Sequence, residues 1–586
     1  MPVYLLQQAE RRTEYQEDIE KKKQELYAEI DSFPIQIKGK TPINNLKKFL
    51  ADNGVWNLTE MDYPLRISYE QYLSGKLIPE TVSMHLRIYD VVKQQHIYQQ
   101  IQTLTGKRFY EWKYQKKIFF LKYYPDQQVG ESLEWVGNKK FLVWDFKKDC
   151  SETLKKQIFY TLSHIIVKTS GSMQYRNNRI KALKILYDSC VRQNIQDIGL
   201  LEIEQMETIY QDFEDAKNKA LTPHLSIIGE CRKDAFMQQE QIQWDATVWY
   251  MEKFHFDKSR VNKSSSLNSI SFMEIREKQN REILQAYMKY ELGVTGEAVS
   301  TITYRFRFIR NFLEALEQKN VLAVDVTEEH MKEYAKTLRE RKLTAKGFND
   351  RIFGIGNFFK FMEVKQYIPK MPFHMEYFRQ KVIEGHHERS VEEIVYMELL
   401  KKLYLFPERL RCMFLHLWCL GLRASEVCTL KGNAYYQQGE EYWIQVYQVK
   451  MKFYKRVPIP KALYQIMKVY LKKYDIQPDE YIFKNAKGDG ACLYQTFRHQ
   501  MLKACRENEI ANGEYIFKSH DYRHTVATMF FDSNVSLQSI RDFLGHTYEE
   551  MTRQYIDFMP KKIAQANEEF FSTRENSLAS WLKKGG

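Results

Sequence analysis

Imidazole, guanidinium and phenol, the groups that can move protons around a phosphodiester and bear its charge, gather in one short stretch of this chain. From His520 it reads H-D-Y-R-H-T, passes through L-G-H-T at 544–547, and arrives at Tyr555 nine residues after His546. His520 and Arg523 stand three apart and would share a helix face, and the interval from Arg523 to His546 is long enough for two helices and a turn. A phosphodiester under attack needs cationic donors on its nonbridging oxygens, an acceptor for the nucleophile's proton and a donor for the leaving oxygen. A phenol titrates near pH ~10, so Tyr555 as nucleophile needs a base and cations beside it. Arg523 can grip two oxygens at once, His520 suits the proton acceptor, and His546 suits a donor to the phosphate. His524 would turn about 100° away from Arg523 on a helix and reads as structural.

Two upstream segments extend the pattern. Gly421-Leu422-Arg423-Ala424-Ser425-Glu426 closes an apolar helix with an arginine and sets an acid three places on, where Glu426 can orient Arg423. The run from Tyr442 to Pro460, Y-W-I-Q-V-Y-Q-V-K-M-K-F-Y-K-R-V-P-I-P, reads as a β-hairpin with lysines. Together the ordered pieces resemble the catalytic end of the tyrosine recombinase (phage integrase) family, over a span far more specific than any one short motif. That resemblance implies that Tyr555 attacks a DNA phosphate to give a 3′-phosphotyrosyl bond and a free 5′-hydroxyl. It makes Arg423, Arg523, His520 and His546 the phosphate-binding and proton-transfer groups, and gives a hairpin lysine the role of acid for the leaving oxygen. Lys450 and Lys452, two apart and expected on one face of a strand, both qualify. The distance to Val457-Pro458-Ile459 favours Lys450, whereas counting to Pro460 would favour Lys452.

The composition agrees with an anionic partner. The 586 residues carry 88 Lys and Arg against 75 acids, a formal net charge of +13. Eight cysteines form no C-x-x-C pair and read as reduced thiols of a cytoplasmic, nucleoid-associated protein rather than a zinc site or a disulfide framework. The N-terminus has no basic segment followed by an apolar core, and the apolar run 412–422, broken by His416, falls short of the ~20 residues a membrane span needs. It reads as a buried helix. With no H-E-x-x-H and no G-x-x-x-x-G-K-[ST], neither a metal nor a nucleotide cofactor is expected.

These pieces need a scaffold of several domains, since the length exceeds what one core supports. Residues 3–32 have the spacing of an amphipathic helix. A helix, a short link with an Asp and a second helix recur three times, around Leu46 to Leu73, Ile180 to Tyr210 and Phe308 to Leu338, which suggests an internal repeat. Between the first two copies lies an aromatic-rich segment, 108–146, expected as a small antiparallel sheet whose rings fill a core beside helices. The expected fold is mainly α with small β-sheets. An N-terminal α+β extension (1–254) leads through a polar linker (255–271) to a helical module (272–373), whose helices resemble the family's core-binding domain. A connector (374–390), a mixed α/β catalytic domain (391–565) and a tail (566–586) follow.

The function expected is site-specific DNA recombination, as the integrase or transposase of a mobile element. The partners implied are double-stranded DNA, a homotetramer on that DNA and accessory recombinases, without a membrane. A type IB topoisomerase-like relaxing enzyme, a metal-dependent phosphodiesterase built on His520, His524 and His546, and a non-catalytic DNA-binding protein of the same fold are the alternatives.

Overall fold

A computed structural model describes residues 3–35, 39–114, 118–133, 139–168, 172–215, 225–266, 269–383, 389–546, 548 and 552. The chain is mainly helical with small antiparallel sheets and divides into two compact units, Met1–Trp249 and Tyr250–Gly586.

The first unit begins with the long helix α1 (Val3–Ser32), followed by α2 (Thr41–Asp52), α3 (Tyr63–Ser74), α4 (Pro79–Gln100) and α5 (Leu104–Phe109). Leu46, Leu50, Tyr69, Leu73 and Tyr89 share one core there, into which α1 inserts Leu26 and Ile30. Strand β1 (Ile118–Phe120), α6 (Gln127–Ser132), β2 (Val143–Asp145), α7 (Glu152–Lys168), α8 (Met173–Arg192), α9 (Ile203–Asp215) and α10 (Ser226–Gln238) complete the unit up to β3 (Val248–Tyr250), where the division falls.

The aromatic segment 108–146 forms the small antiparallel sheet expected, with its rings in a core beside helices, but its strands are short. Its described residues hold only two three-residue strands, β1 and β2, paired antiparallel with Phe119 opposite Trp144. Consecutive Phe119 and Phe120 are both buried, as are Trp144 and Phe146. A strand with one solvated face would bury alternate residues, so these rings serve as filling between helices and little ladder forms. Trp144 stacks on Tyr187 of α8 with centroids 6.2 Å apart.

In the second unit, the stretch expected as a linker is packed in place. Val261 and Ser264 are buried, and the Ser264 carbonyl accepts a hydrogen bond from the Tyr494 amide at 2.8 Å. Strand β4 (Ser269–Ser271) leads into α11 (Lys278–Gly293), α12 (Val299–Glu317), α13 (Glu328–Glu340) and α14 (Ala345–Val364). The connector beyond α14 is pinned by Asn349, whose amide donates to the Gln380 carbonyl and accepts from the Gln380 amide, each at 2.8 Å. The catalytic portion comprises α15 (Glu393–Lys402), α16 (Glu408–Leu420), α17 (Ala424–Cys428), the sheet β5 (Tyr435–Gln438), β6 (Glu441–Gln448) and β7 (Phe453–Pro458), then α18 (Lys461–Lys473), α19 (Tyr494–Glu507), α20 (Ser519–Asp532) and α21 (Leu537–Leu544). The apolar run 412–422 lies largely in α16, where the buried His416 ring meets the Cys412 carbonyl at 2.6 Å and the Tyr435 hydroxyl at 2.5 Å. Burial pushes that imidazole down to about 4.

The repeat read from sequence is present as structure. After α2, α8 and α12 the chain turns through a left-handed residue, Gly54, Asn194 or Asn320. The next amide, of Val55, Ile195 or Val321, then bonds back to the carbonyl of Leu50, Cys190 or Leu316 at 2.9, 2.9 and 3.1 Å. A one-turn 3-10 helix follows each time, at Leu58–Glu60, Ile198–Leu200 and Ala323–Asp325, and α3, α9 and α13 open at the same distance beyond it. The buried positions match as well: Tyr69 and Leu73 on α3, Ile209 and Phe213 on α9, Tyr334 and Leu338 on α13.

Candidate phosphodiester-cleaving site

Three helix ends and one hairpin converge here. Helix α16 stops at Gly421, whose left-handed φ of 55° lets the chain reverse, and Arg423 sits immediately before α17. Glu426 reaches back from α17, accepting the Arg423 amide at 3.0 Å and pairing with its guanidinium at 2.9 Å, as the spacing of the two residues suggested. Helix α21 ends at Gly545, again left-handed, so the Leu544 carbonyl is left facing inward two residues before His546.

Arg523, fully buried on α20, uses these ends. It donates to the Gly421 carbonyl at 2.7 Å and the Leu544 carbonyl at 2.6 Å, and its NH2 lies 2.8 Å from His546 Nε2. His546 Nδ1 is 3.0 Å from Thr552 Oγ1. His520 stands a helix turn before Arg523, with part of its surface open to solvent at the start of α20, while His524 is buried with its ring edge-on to His520 at 5.4 Å. The structure therefore brings together Arg423, His520, Arg523 and His546 on neighbouring ends; Tyr555 lies outside the described residues.

The hairpin corrects one expectation. Lys450 and Lys452 do not share a strand face, because both belong to the turn between β6 and β7. The Gln448 carbonyl accepts from the Met451 amide at 3.1 Å and the Lys452 amide at 2.7 Å, which ends the ladder and leaves Lys452 at a left-handed φ of 59°. Both lysines, with Arg423, line a cleft of about 1020 Å³ shared with α12 and α14. Lys452 Nζ reaches the Gly296 carbonyl at 3.4 Å, and Arg305 is held between Glu291 and Glu297, each at 3.4 Å.

Two members of the site escaped the sequence reading. Lys455, opposite Val446 in the hairpin, is buried with its Nζ 3.2 Å from the Leu544 carbonyl and 3.6 Å from Glu426. Gln448 donates to Glu426 at 2.9 Å. The signal was available: Lys455 is two residues before the apolar Val457, and strand alternation puts both on the inner face.

Charge in this pocket is closely compensated. Burial would raise the Glu426 carboxyl, but Lys455, Arg523 and Arg423 outweigh it and hold it at about 2. Burial lowers the Lys455 ammonium to about 8 against the pull of Glu426. His546 is pushed down to about 2 by burial and then by Arg523, Arg423 and Lys455. His520 falls to about 4, from desolvation of its ring and then from His524, Arg523, Arg423 and Arg389. Both imidazoles are thus neutral at physiological pH, as a proton acceptor must be. Such a site can bind an oxyanion between guanidinium groups with a neutral base beside it. Among the described residues no group of three or more His, Cys, Asp and Glu is placed to hold a metal ion, and no helix is long and apolar enough to cross a membrane.

Transposase B from transposon Tn554 of Staphylococcus aureus strain Mu50 is 29% identical over 335 residues, 53% of this chain and 51% of that protein. The chain thus aligns with about half the length of the Tn554 transposases it matches. A tyrosine recombinase of Pseudothermotoga lettingae is 23% identical over 280 residues, 47% of this chain and 93% of its own length. Among solved structures, the XerH site-specific recombinase bound to a palindromic difH substrate aligns with a TM-score of 0.39 and 15% identity, covering 50% of this chain and 90% of that one. Residues 390–561 match the model of the phage integrase family. That matched segment contains Arg423, Lys450, His520, Arg523, His546 and Tyr555, so it is through this domain that the chain is similar to the phage integrases.

Proposed function

We propose that this protein is a site-specific DNA recombinase, serving integration or transposition, that cuts and rejoins DNA through a 3′-phosphotyrosyl bond on Tyr555. The observation that carries the reading is the meeting of Arg423, Arg523 and His546 around the ends of α16 and α21, beside a cleft that also receives Lys450. Two guanidiniums on the phosphate would stabilise the charge that develops as the phenolate attacks. His520, neutral at working pH, would take the phenolic proton, His546 would donate to the phosphate, and Lys450 would protonate the departing 5′-oxygen. The energy of the broken phosphodiester is kept in the phosphotyrosine, so rejoining needs no nucleotide. Exchange between two duplexes requires four such active sites, which is the argument for a homotetramer on double-stranded DNA; accessory recombinases belong to the same reading.

The test is covalent capture. On a nicked suicide duplex derived from the ends of the element, the native chain should form a protein–DNA adduct and Tyr555→Phe should bind equally but form none. An adduct with Tyr555→Phe would end this reading. Supercoil relaxation without strand exchange would favour the topoisomerase alternative.

A further inference from the structure

The helical module beside the cleft has a counterpart in the first unit. From β2 and β4 onward, α7 and α11, then α8 and α12, begin at one constant offset that holds to Asn194 and Asn320. One residue is dropped in the following link, after which α9 and α13 run in step for their whole length. Burial along α7 follows that along α11 position for position over most of both helices, although the residue types differ. Such agreement in helix starts, turn and inward register marks one build used twice, not two helical segments of similar length.

In the second unit the face of this build that meets the cleft is the start of α12, through Ser300, Thr301 and Arg305, next to Arg423 and Lys450. The same positions on α8 are Gln174, Tyr175 and Arg179. Gln174 and Tyr175 are exposed, whereas Arg179 is buried and held by Glu230, unlike Arg305, which lines the cleft. The exposed amide and ring are the groups this end of α8 offers a sugar–phosphate backbone, with the half-buried Lys181 two turns along on the face of Gln174. Helix α8 carries five basic residues against one acid, a bias that favours a polyanion.

We propose that residues 143–238 form a second duplex-DNA-docking module, which grips the phosphate backbone through the start of α8 as α12 does at the cleft. The inference rests on the cleft of the second unit receiving DNA, and the experiment separates the two. In the full chain, a photo-crosslinking amino acid (p-benzoylphenylalanine) is placed singly at Gln174, at Ser300, or at Lys156. Lys156 is exposed on α7 at the position of Glu282, which does not line the cleft. The probe is mixed-sequence duplex DNA at low salt. DNA adducts are expected at Gln174 and Ser300 and not at Lys156. Crosslinking at Ser300 without Gln174 overturns the proposal and leaves the cleft reading standing; silence at both overturns both. Equal yield at Lys156 and Gln174 means unspecific adsorption and also overturns it. As a second measurement, Lys181→Gln in the full chain should lower the slope of log affinity against log salt by about 0.9, the value for one phosphate no longer neutralised, and an unchanged slope overturns the proposal.

Discussion

Lys455 Nζ stands 3.6 Å from the Glu426 carboxylate, with both side chains 3% exposed, so the ammonium depends on Glu426 for its place in the interior, while Glu426 keeps Arg423 as a second partner. Removing one member of a buried pair costs roughly 3–5 kcal/mol when it leaves the other uncompensated. Lys455→Met leaves Glu426 paired with Arg423 and should therefore destabilise the second unit by less than that, read in denaturant titrations. Because Glu426 also holds Arg423 at 2.9 Å, cleavage should fall as well. A variant as stable as the native chain would show that Lys455 is a passenger.

Acid should unfold the chain earlier than its carboxylates alone require. His546 and His520 are held at about 2 and about 4 in the folded state, below the ordinary value of 6.5. Below that value the unfolded chain takes up protons that the folded chain refuses, so stability falls as pH drops from 6.5. Glu426 adds the same sign lower down, as pH falls from its ordinary 4.5 toward about 2. Melting temperature should decline steadily on acidification from neutrality, and His546→Gln should decline less steeply. A flat profile in the native protein would contradict the buried neutral imidazole.

The turn lysines can be told apart by the leaving group. A bridging 5′-sulfur departs without a proton, so it should restore cleavage to the variant that lacks the general acid and to no other. Rescue of Lys450→Ala is expected. Rescue of Lys452→Ala instead would move the role two residues along the turn.

Gly421→Ala probes the joint between α16 and α17. A Cβ there would come within 3.0 Å of Leu544 Cδ2 on a backbone already at positive φ. The left-handed conformation alone costs about 1–2 kcal/mol with a side chain. Since the Gly421 carbonyl receives Arg523, cleavage should drop further than stability accounts for, measured as adduct rate at a temperature where both proteins are folded.

Residue type and order were enough to name Arg423, His520, Arg523 and His546 as candidates, because a phosphate's demands are local and chemical, and the structure brings the four to neighbouring helix ends. Glu426 was legible too, since three residues is one helical turn. Lys455 and Gln448 were not, because their importance comes from what packs over them: the end of α21, almost a hundred residues away in sequence. The aromatic segment was legible in kind, a small antiparallel sheet whose rings fill a core, but not in the shortness of its strands. Its composition favours strands, but the helices around it bury consecutive rings, and burial by neighbours overrides strand propensity. The three-fold repeat was visible in outline, and what the structure adds is a backbone detail, the left-handed residue followed by a one-turn 3-10 helix and a second helix opening at a constant distance beyond it.

Arginine has no acceptor, so the 2.8 Å approach of Arg523 NH2 to His546 Nε2 places the imidazole's proton on Nδ1, toward Thr552. In that tautomer Nε2 offers a lone pair and no hydrogen. The ring can donate through Nε2 only after Arg523 has turned its N–H onto an incoming anion and the ring has gained or shifted a proton. The resting pocket is therefore interlocked: Arg523 and the Nε2 of His546 hold each other, and neither can be given to an incoming anion while the other keeps its present partner.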